Sequence, residues 1–186
     1  MNDNLTYLNY LKRRSILGKL YRQYWLYPRL ARQISGRVLD IGCGIGDFVR
    51  YRANTIGVDV NVDIVNWCID SGLNVKHMEI DLLGFPDASF DAVVLDNVLE
   101  HIASPEKLLA EIKRVLIPGA VFLLGVPGIR GYKADPDHKV FYDQALLIRT
   151  MENAGFIKGK IFLMPLNLPF LNKFMSQFCI YGVFRK

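Results

Sequence analysis

The sequence predicts an α/β fold: a doubly wound sheet of seven strands, six parallel and the last antiparallel, with helices on both faces. Three observations carry that prediction. Short apolar runs alternate with amphipathic stretches through the middle of the chain, the order that builds parallel strands joined by helices. The first run, Val38-Leu39-Asp40-Ile41, opens straight into Gly42-Cys43-Gly44-Ile45-Gly46 and a helical pattern from Asp47. A strand, a glycine turn and a helix place a ligand at the carboxyl end of a parallel strand. The third observation is Phe90-Asp91-Ala92-Val93-Val94-Leu95-Asp96, apolar almost throughout, as a strand covered on both faces must be.

The remaining elements follow in order. Residues 5–34 mix leucines, tyrosines and basic residues, with Leu17, Leu20, Tyr21 and Tyr24 at helical spacing and Pro28 breaking or starting a helix. Thr55-Ile56-Gly57-Val58-Asp59 is a second strand ending in an acid, whose two oxygens suit the paired hydroxyls of a ribose. Val62, Val65 and Ile69 then mark one helical face and Gly72 its stop. The third strand is expected over residues 74–79 and the fourth over 90–96. Ser104 is expected to cap a helix started by Pro105, with Leu108, Leu109, Ile112, Val115 and Leu116 as its buried stripe and Pro118-Gly119 as its end. Residues 120–126 make the fifth strand, and residues 127–142 a long loop of the kind that carries function. Asp143 caps a helix that Gly155 stops, residues 156–164 form the sixth strand, and residues 178–184 return antiparallel. The stretch between them, residues 165–177, is apolar where a polar turn would serve, so it needs a partner surface: its own sheet edge, a second copy, an apolar substrate or a membrane.

Composition bounds the function. At 186 residues the chain suffices for one α/β core, and 51% hydrophobic against 22% charged residues excludes a disordered chain. Cys43, Cys68 and Cys179 are an odd number at unrelated spacings, with no metal-ligand pattern, which favours a reducing, cytoplasmic setting. No apolar run reaches the roughly 18 residues of a membrane span, and Lys12, Arg13, Arg14 and Lys19 interrupt the segment where a signal peptide would need an apolar core. Residues 1–35 hold seven Lys and Arg against Asp3 alone, a charge of +6 when the whole chain carries +5. The basicity is a property of this arm, residues 1–35; the body, residues 36–186, is near neutral. A basic, aromatic helix suits phosphate, an anionic lipid or membrane surface, or nucleic acid, and equally an amphipathic helix packed on the body with its arginines solvated.

The spacing of the glycines separates ligand classes. A dinucleotide turn reads G-x-G-x-x-G; here the pattern is G-x-G-x-G, and Asp47 stands where the third glycine belongs. With Asp40 upstream, two carboxylates flank the turn and favour a ligand bearing positive charge over a pyrophosphate. The stretch closely resembles motif I of the class I S-adenosylmethionine-dependent methyltransferases, and Asp59, seventeen residues beyond Gly42, stands where motif II falls. Phe90-Asp91 through Val98-Leu99-Glu100-His101-Ile102 is similar to the segment after the fourth strand in the small-molecule members related to ubiquinone and menaquinone synthesis (methyltransferase type 11). The resemblance covers about residues 36–160. It implies a Rossmann-like methyltransferase domain with S-adenosylmethionine as cofactor, held by Asp40, Gly42, Cys43, Gly44, Asp59, Val60, Asp81, Leu82, Asp96 and Asn97. Within that set Asp81 would accept from the adenine amino group and Leu82 would offer a backbone amide.

Methyl transfer from a sulfonium needs alignment more than acid–base help, and a base only where the acceptor must lose a proton. The candidate bases are His138, within Asp135-Pro136-Asp137-His138, and His101; Tyr132 and Tyr142 stand behind them. Asp96-Asn97-Val98-Leu99 lacks the D/N-P-P-Y/F/W signature of adenine or glutamine-amide methylation, and no Pro-Cys is present for cytosine. Those absences disfavour nucleic acid; the resemblance implies a small-molecule acceptor, and the apolar insertion and basic arm favour a hydroxyl on a lipid, quinone-like or glycan precursor. A localisation in the cytoplasm, peripheral to the membrane where the arm engages it, completes the expectation. Two other classes stay open: a non-catalytic partner that binds the same cofactor, and an NAD(P)-dependent oxidoreductase, which Asp59 allows and Asp47 opposes.

Overall fold

A computed structural model of the chain describes Leu8, Leu11, Lys12 and residues 15–186; Asp3, Arg13 and Arg14 of the arm lie outside the described residues. Seven strands form one sheet: β1 (Val38–Ile41), β2 (Thr55–Asp59), β3 (Val75–His77), β4 (Phe90–Asp96), β5 (Leu116–Pro127), β6 (Ile157–Met164) and β7 (Cys179–Arg185). Their order is β3-β2-β1-β4-β5-β7-β6. Every neighbouring pair is parallel except those of β7, which runs antiparallel to both β5 and β6. The order turns back between β1 and β4, and a crevice opens at the carboxyl ends of the strands there, where doubly wound sheets take their ligands.

Alternation along the strands sorts the two faces. Leu39, Ile41, Val93, Leu95, Phe122 and Leu124 face one way, onto α5 (Glu106–Val115) and α7 (Gln144–Asn153), in the largest core cluster. Val38, Ala92, Val94, Leu123 and Tyr181 face the other way, and there Leu26, Tyr27 and Leu30 of the arm cover them. The arm helix consists of α1 (Ile16–Tyr21), a π-helical stretch (Arg22–Leu26) and α2 (Tyr27–Ala31). A π-turn adds a residue to one turn, and here Arg22 at its start faces the crevice. Leu8 and Leu11 pack further along with Ile45, Val49, Ile64 and Cys68, beside α3 (Asp47–Tyr51) and α4 (Val62–Asp70).

Several local expectations change. Leu17, Leu20 and Tyr24 are exposed, and the buried face of the arm is Leu26, Tyr27 and Leu30; the extra residue of the π-turn shifts the face that meets the sheet. On α4 the buried side chains are Ile64, Val65 and Cys68, while Val62 and Ile69 are exposed. The small thiol of Cys68 fits beneath the glycine turn, where a Cβ on Gly46 would approach its sulfur to 3.4 Å. Ser104 makes no cap bond, since α5 starts at Glu106 with Pro105 as its cap. Leu116 already belongs to β5, so the strand runs through Pro118-Gly119, with Gly119 at φ +78° where a glycine meets no steric cost. β3 is shorter than expected. The stretch 127–142 is not all loop: α6 (Ile129–Ala134) lies within it. Asp143 does cap α7 by accepting from the Leu146 amide at 2.7 Å, and Gly72 and Gly155 follow their helices at φ +75° and +77°.

The insertion after β6 folds as a short 3₁₀ turn (Pro169–Lys173). Leu171 and Met175 reach the main core, and Asn172 Oδ1 accepts from the Ile129 amide at 2.7 Å. The Trp25 indole donates to the Pro165 carbonyl at 2.8 Å, so the arm and the insertion meet on one side of the molecule.

Candidate cofactor and acceptor site

β1 ends in the glycine turn, and each glycine there has a separate duty. The amides of Gly42 and Cys43 donate to Val58 O at 2.8 and 3.1 Å, which folds the turn against β2. All three glycines have positive φ, +67°, +52° and +71° at Gly42, Gly44 and Gly46, a region side-chain-bearing residues rarely adopt. A Cβ on Gly42 would lie 2.5 Å from Val98, and one on Gly46 2.5 Å from Leu73, so protein packing alone reserves those two positions. A Cβ on Gly44 would meet only Leu11, at 3.4 Å. Gly44 is the glycine that leaves room for something other than this chain.

The room is a cavity of about 580 Å³. Six of the ten expected cofactor residues line it: Asp40, Gly42, Cys43, Gly44, Asp96 and Asn97. Asp40 is buried, and that burial, with Asp96 and Asp59 nearby, raises its carboxyl well above the usual range. Such a group ionises readily only when a cation comes to it. Asp59, Val60, Asp81 and Leu82 do not line the cavity. Asp59 Oδ2 accepts from the Gly44 amide and Oδ1 from the Asn61 amide, both at 3.0 Å, so the buried acid that closes β2 also holds the glycine turn in place. Val60 and Leu82 are exposed beyond it, and Asp81 has φ +60°.

Asp96 shows what the sequence alone did not reveal. In register Asp96 pairs with Gly125 of β5, and Gly125 with Tyr181 of β7. The absence of a side chain at Gly125 lets the Tyr181 ring lie across β5, where its hydroxyl donates to Asp96 Oδ1 at 2.7 Å; a Cβ there would collide with that ring and with Asp96. Asn97 Nδ2 donates to the same oxygen at 2.9 Å, and Arg22 stands 3.8 Å from Oδ2. Arg22, Tyr27 and Leu30 bring the arm into the cavity wall. No spacing in the sequence relates residues 22, 96 and 181; the return of β7 beside β5 and the packing of the arm on the sheet bring them together.

The opposite wall belongs to the 3₁₀ turn Leu99–His101 and to the loop after α6. The amides of Lys139 and Val140 donate to Glu100 O at 2.7 and 3.1 Å. That tie brings both candidate bases together: the rings of His101 and His138 lie 4.6 Å apart. Burial lowers the pKa of His101, and the neighbouring His138 adds to the effect. Beside them sits Glu100, 1% exposed. Burial pushes its carboxyl up to about 8, and both its oxygens lack a hydrogen-bond partner among the described residues. Tyr132 stacks on His138 at 5.4 Å between centroids, and Tyr142 is buried in the main core. Neither tyrosine lines the cavity, whereas both histidines do.

Comparison with known proteins agrees with this geometry. Residues 39–124 match the family described as "Methyltransferase domain". A probable S-adenosylmethionine-dependent methyltransferase of Mycolicibacterium smegmatis is 32% identical over 77% of this chain and 63% of its own length. A ubiquinone biosynthesis O-methyltransferase of Paraburkholderia phymatum is 32% identical over 66% of this chain and 62% of its own. The chain thus spans about three fifths of the length of these relatives. Among solved structures, an S-adenosylmethionine-dependent methyltransferase of Thermotoga maritima, described as a possible histamine N-methyltransferase, superposes with a TM-score of 0.73 over 100% of both chains at 19% identity, a likeness of fold. Glycine turn and sheet order agree with the match of residues 39–124 to a methyltransferase domain and with the similarity to S-adenosylmethionine-dependent relatives.

Proposed function

We propose that this chain transfers a methyl group from S-adenosylmethionine to a small-molecule acceptor. The observation that carries the reading is the opening at Gly44, flanked by the buried carboxyl of Asp40. The residues fit the cofactor: Asp40 and Asp96 line the cavity with carboxyls that would complement its positive groups, and Asp47 opposes a pyrophosphate at the same turn. When bound, S-adenosylmethionine supplies a methyl group already activated by its positive sulfur. The chain's own residues then have three tasks: orient, exclude water, and handle the acceptor's proton where it has one. Leu11, Tyr27, Leu30 and Phe48 enclose the cavity on the arm side. His138, with His101 beside it, faces the acceptor from the other wall. An oxygen acceptor is the preferred class, in keeping with the O-methyltransferase among the relatives.

Calorimetric titration tests this directly. S-adenosylhomocysteine is expected to bind at micromolar level or tighter, NADH not to bind, and Gly44→Val to abolish binding with the fold retained. Tight NADH binding would return the oxidoreductase reading. Cofactor binding with no turnover on any oxygen or nitrogen acceptor would leave a regulatory partner.

A lipid-surface acceptor has one specific observation in its favour. The exposed side chains Ile16, Leu17, Leu20 and Tyr24 of the arm and Leu166, Leu168, Phe170 and Phe174 of the insertion belong to segments joined at Trp25 and Pro165. Arg29, Arg32 and Lys160 line a groove at that junction. No helix among the described residues is long and apolar enough to cross a membrane, so this surface would lie on an anionic bilayer rather than in it.

A further inference from the structure

We propose that Glu100, His101 and His138 form a divalent-cation site on the acceptor wall of the cavity. The three side chains each offer one ligand atom, and these atoms lie within 4.8 Å of one another. Glu100 Oε1 stands 3.8 Å from His138 Nε2, too far for a hydrogen bond and the right order for two ligands that a metal would draw together at about 2.0–2.2 Å each.

The surroundings hold the ligand side chains in place. His138 Nδ1 lies 2.7 Å from the Tyr132 carbonyl oxygen, which can only accept; Nδ1 therefore carries a hydrogen, and Nε2 is the nitrogen that faces Glu100. The His101 ring lies 4.6 Å from that of His138, centre to centre. An imidazole anchored through one nitrogen to a backbone carbonyl, as His138 is, leaves the other for a metal. Glu100 supplies the independent sign: 1% exposed, with both oxygens unpartnered among the described residues. A buried carboxylate in that condition is costly unless it is neutralised or coordinated. Because Lys139 and Val140 bond to the Glu100 carbonyl, the backbone fixes the approach of the two segments, and the cluster is preorganised. Asp135 Oδ2, 4.0 Å from His138 Nε2, stands at the rim as a further oxygen.

Two imidazoles and a carboxylate select a borderline cation such as Zn²⁺, Mn²⁺, Fe²⁺ or Co²⁺ over Mg²⁺ or Ca²⁺. All three ligand residues line the cavity, so the open coordination positions would face it and hold an oxygen of the acceptor. The site deepens the methyl-transfer reading, but its test reads the metal on the protein alone, while S-adenosylhomocysteine titration tests the cofactor separately; either can fail without the other.

The full chain, stripped with chelator and dialysed against Zn²⁺, should retain one equivalent by elemental analysis. Calorimetry should show Glu100→Gln and His138→Ala each weakening Zn²⁺ at least tenfold, with His77→Ala unchanged. His77 is the remaining histidine of the chain and lies outside the cavity. Should the variants fail to fold, wild-type protein still decides: Mn²⁺ should broaden the ring signals of His101 and His138 in the proton spectrum before that of His77. Stoichiometric Zn²⁺ that survives both substitutions, absence of Zn²⁺ binding, or equal broadening of all three histidines would overturn the site. A His138→Ala rate loss that recovers at high pH without added metal would assign that ring as a proton acceptor instead.

Discussion

Asp40 makes the sharpest statement at the scale of single residues. Its carboxyl is raised by burial and by Asp96 and Asp59, so the native chain keeps that proton to higher pH than the unfolded chain does. Stability contributed by the protonated form is full below the ordinary carboxylate range and is lost as pH rises toward the raised value. Asp40→Asn should therefore flatten the fall of unfolding free energy with rising pH, read by denaturant titration across pH 4–8 in steps where one proton is worth at most about 1.4 kcal/mol per pH unit. An ammonium placed against Asp40 reverses the preference, so S-adenosylhomocysteine, which keeps that group though not the sulfonium, should bind with release of a proton and its heat should vary with the ionisation enthalpy of the buffer. Buffer-independent heat would remove Asp40 from the ligand's charge balance. Asp59 holds the glycine turn, and if it also meets the ribose, Asp59→Ala should weaken S-adenosylhomocysteine by about 1.5–3 kcal/mol, the scale of a hydrogen bond involving a charged group. Because the same substitution frees the Gly44 amide, amide exchange at the turn should rise with it; affinity lost without that rise would place Asp59 on the ligand only.

At the scale of elements, β5 is interrupted at one point that couples three strands. Gly125→Ala would press a methyl group into the Tyr181 ring and Asp96, an overpacking cost of about 1–3 kcal/mol, measurable as a lowered denaturation midpoint. Tyr181→Phe keeps the packing and drops only the hydroxyl bond to Asp96, so it should cost about 1 kcal/mol and leave Gly125 tolerant of nothing larger. Equal losses in the two variants would mean the ring position does not depend on the gap in β5. The elements also show what was legible beforehand. Strong periodicity and turn chemistry found all seven strands, the glycine turn, the cap at Asp143 and the stops at Gly72 and Gly155. Where the pattern misled, the reasons are physical. A π-turn shifts the period and so the arm's buried face; a cysteine takes a core position on α4; and at Leu116 an apolar residue suits helix and strand alike. Pairings such as Tyr181 with Asp96, or Glu100 with His138, carry no local pattern and needed the topology.

For the molecule as a whole, the arm is part of the core and part of the surface. Leu26, Tyr27 and Leu30 are buried under the sheet, each worth about 1.5–3 kcal/mol, so removing residues 1–30 should unfold the protein rather than simply uncap it. The surface role is tested by Leu17→Glu with Leu20→Glu, which leaves that core intact. If the outer stripe docks on lipid, the double variant should lose binding to anionic vesicles while retaining its denaturation midpoint, and wild-type binding should fall as salt rises past 0.1 M, where the screening length is about 10 Å. Wild-type protein that ignores such vesicles at low salt would end the lipid reading.

The two tryptophans of the chain sit at opposite ends of the same device. Trp25 lies beneath the Arg29 guanidinium, 3.3 Å from its ring centre, and bonds to Pro165; Trp67 of α4 lies beneath Lys12, with 4.9 Å to the ring. Since these are the only indoles present, tryptophan emission reports on the arm and its contacts, with Trp25 watching its seat on the insertion and Trp67 its approach to the glycine turn. Single-tryptophan proteins, Trp25→Phe and Trp67→Phe, would turn the chain into its own gauge: quenching by iodide at Trp67 should fall when ligand fills the cavity, while Trp25 should respond to vesicles, so that opening of the cavity and docking of the surface become separately visible in real time.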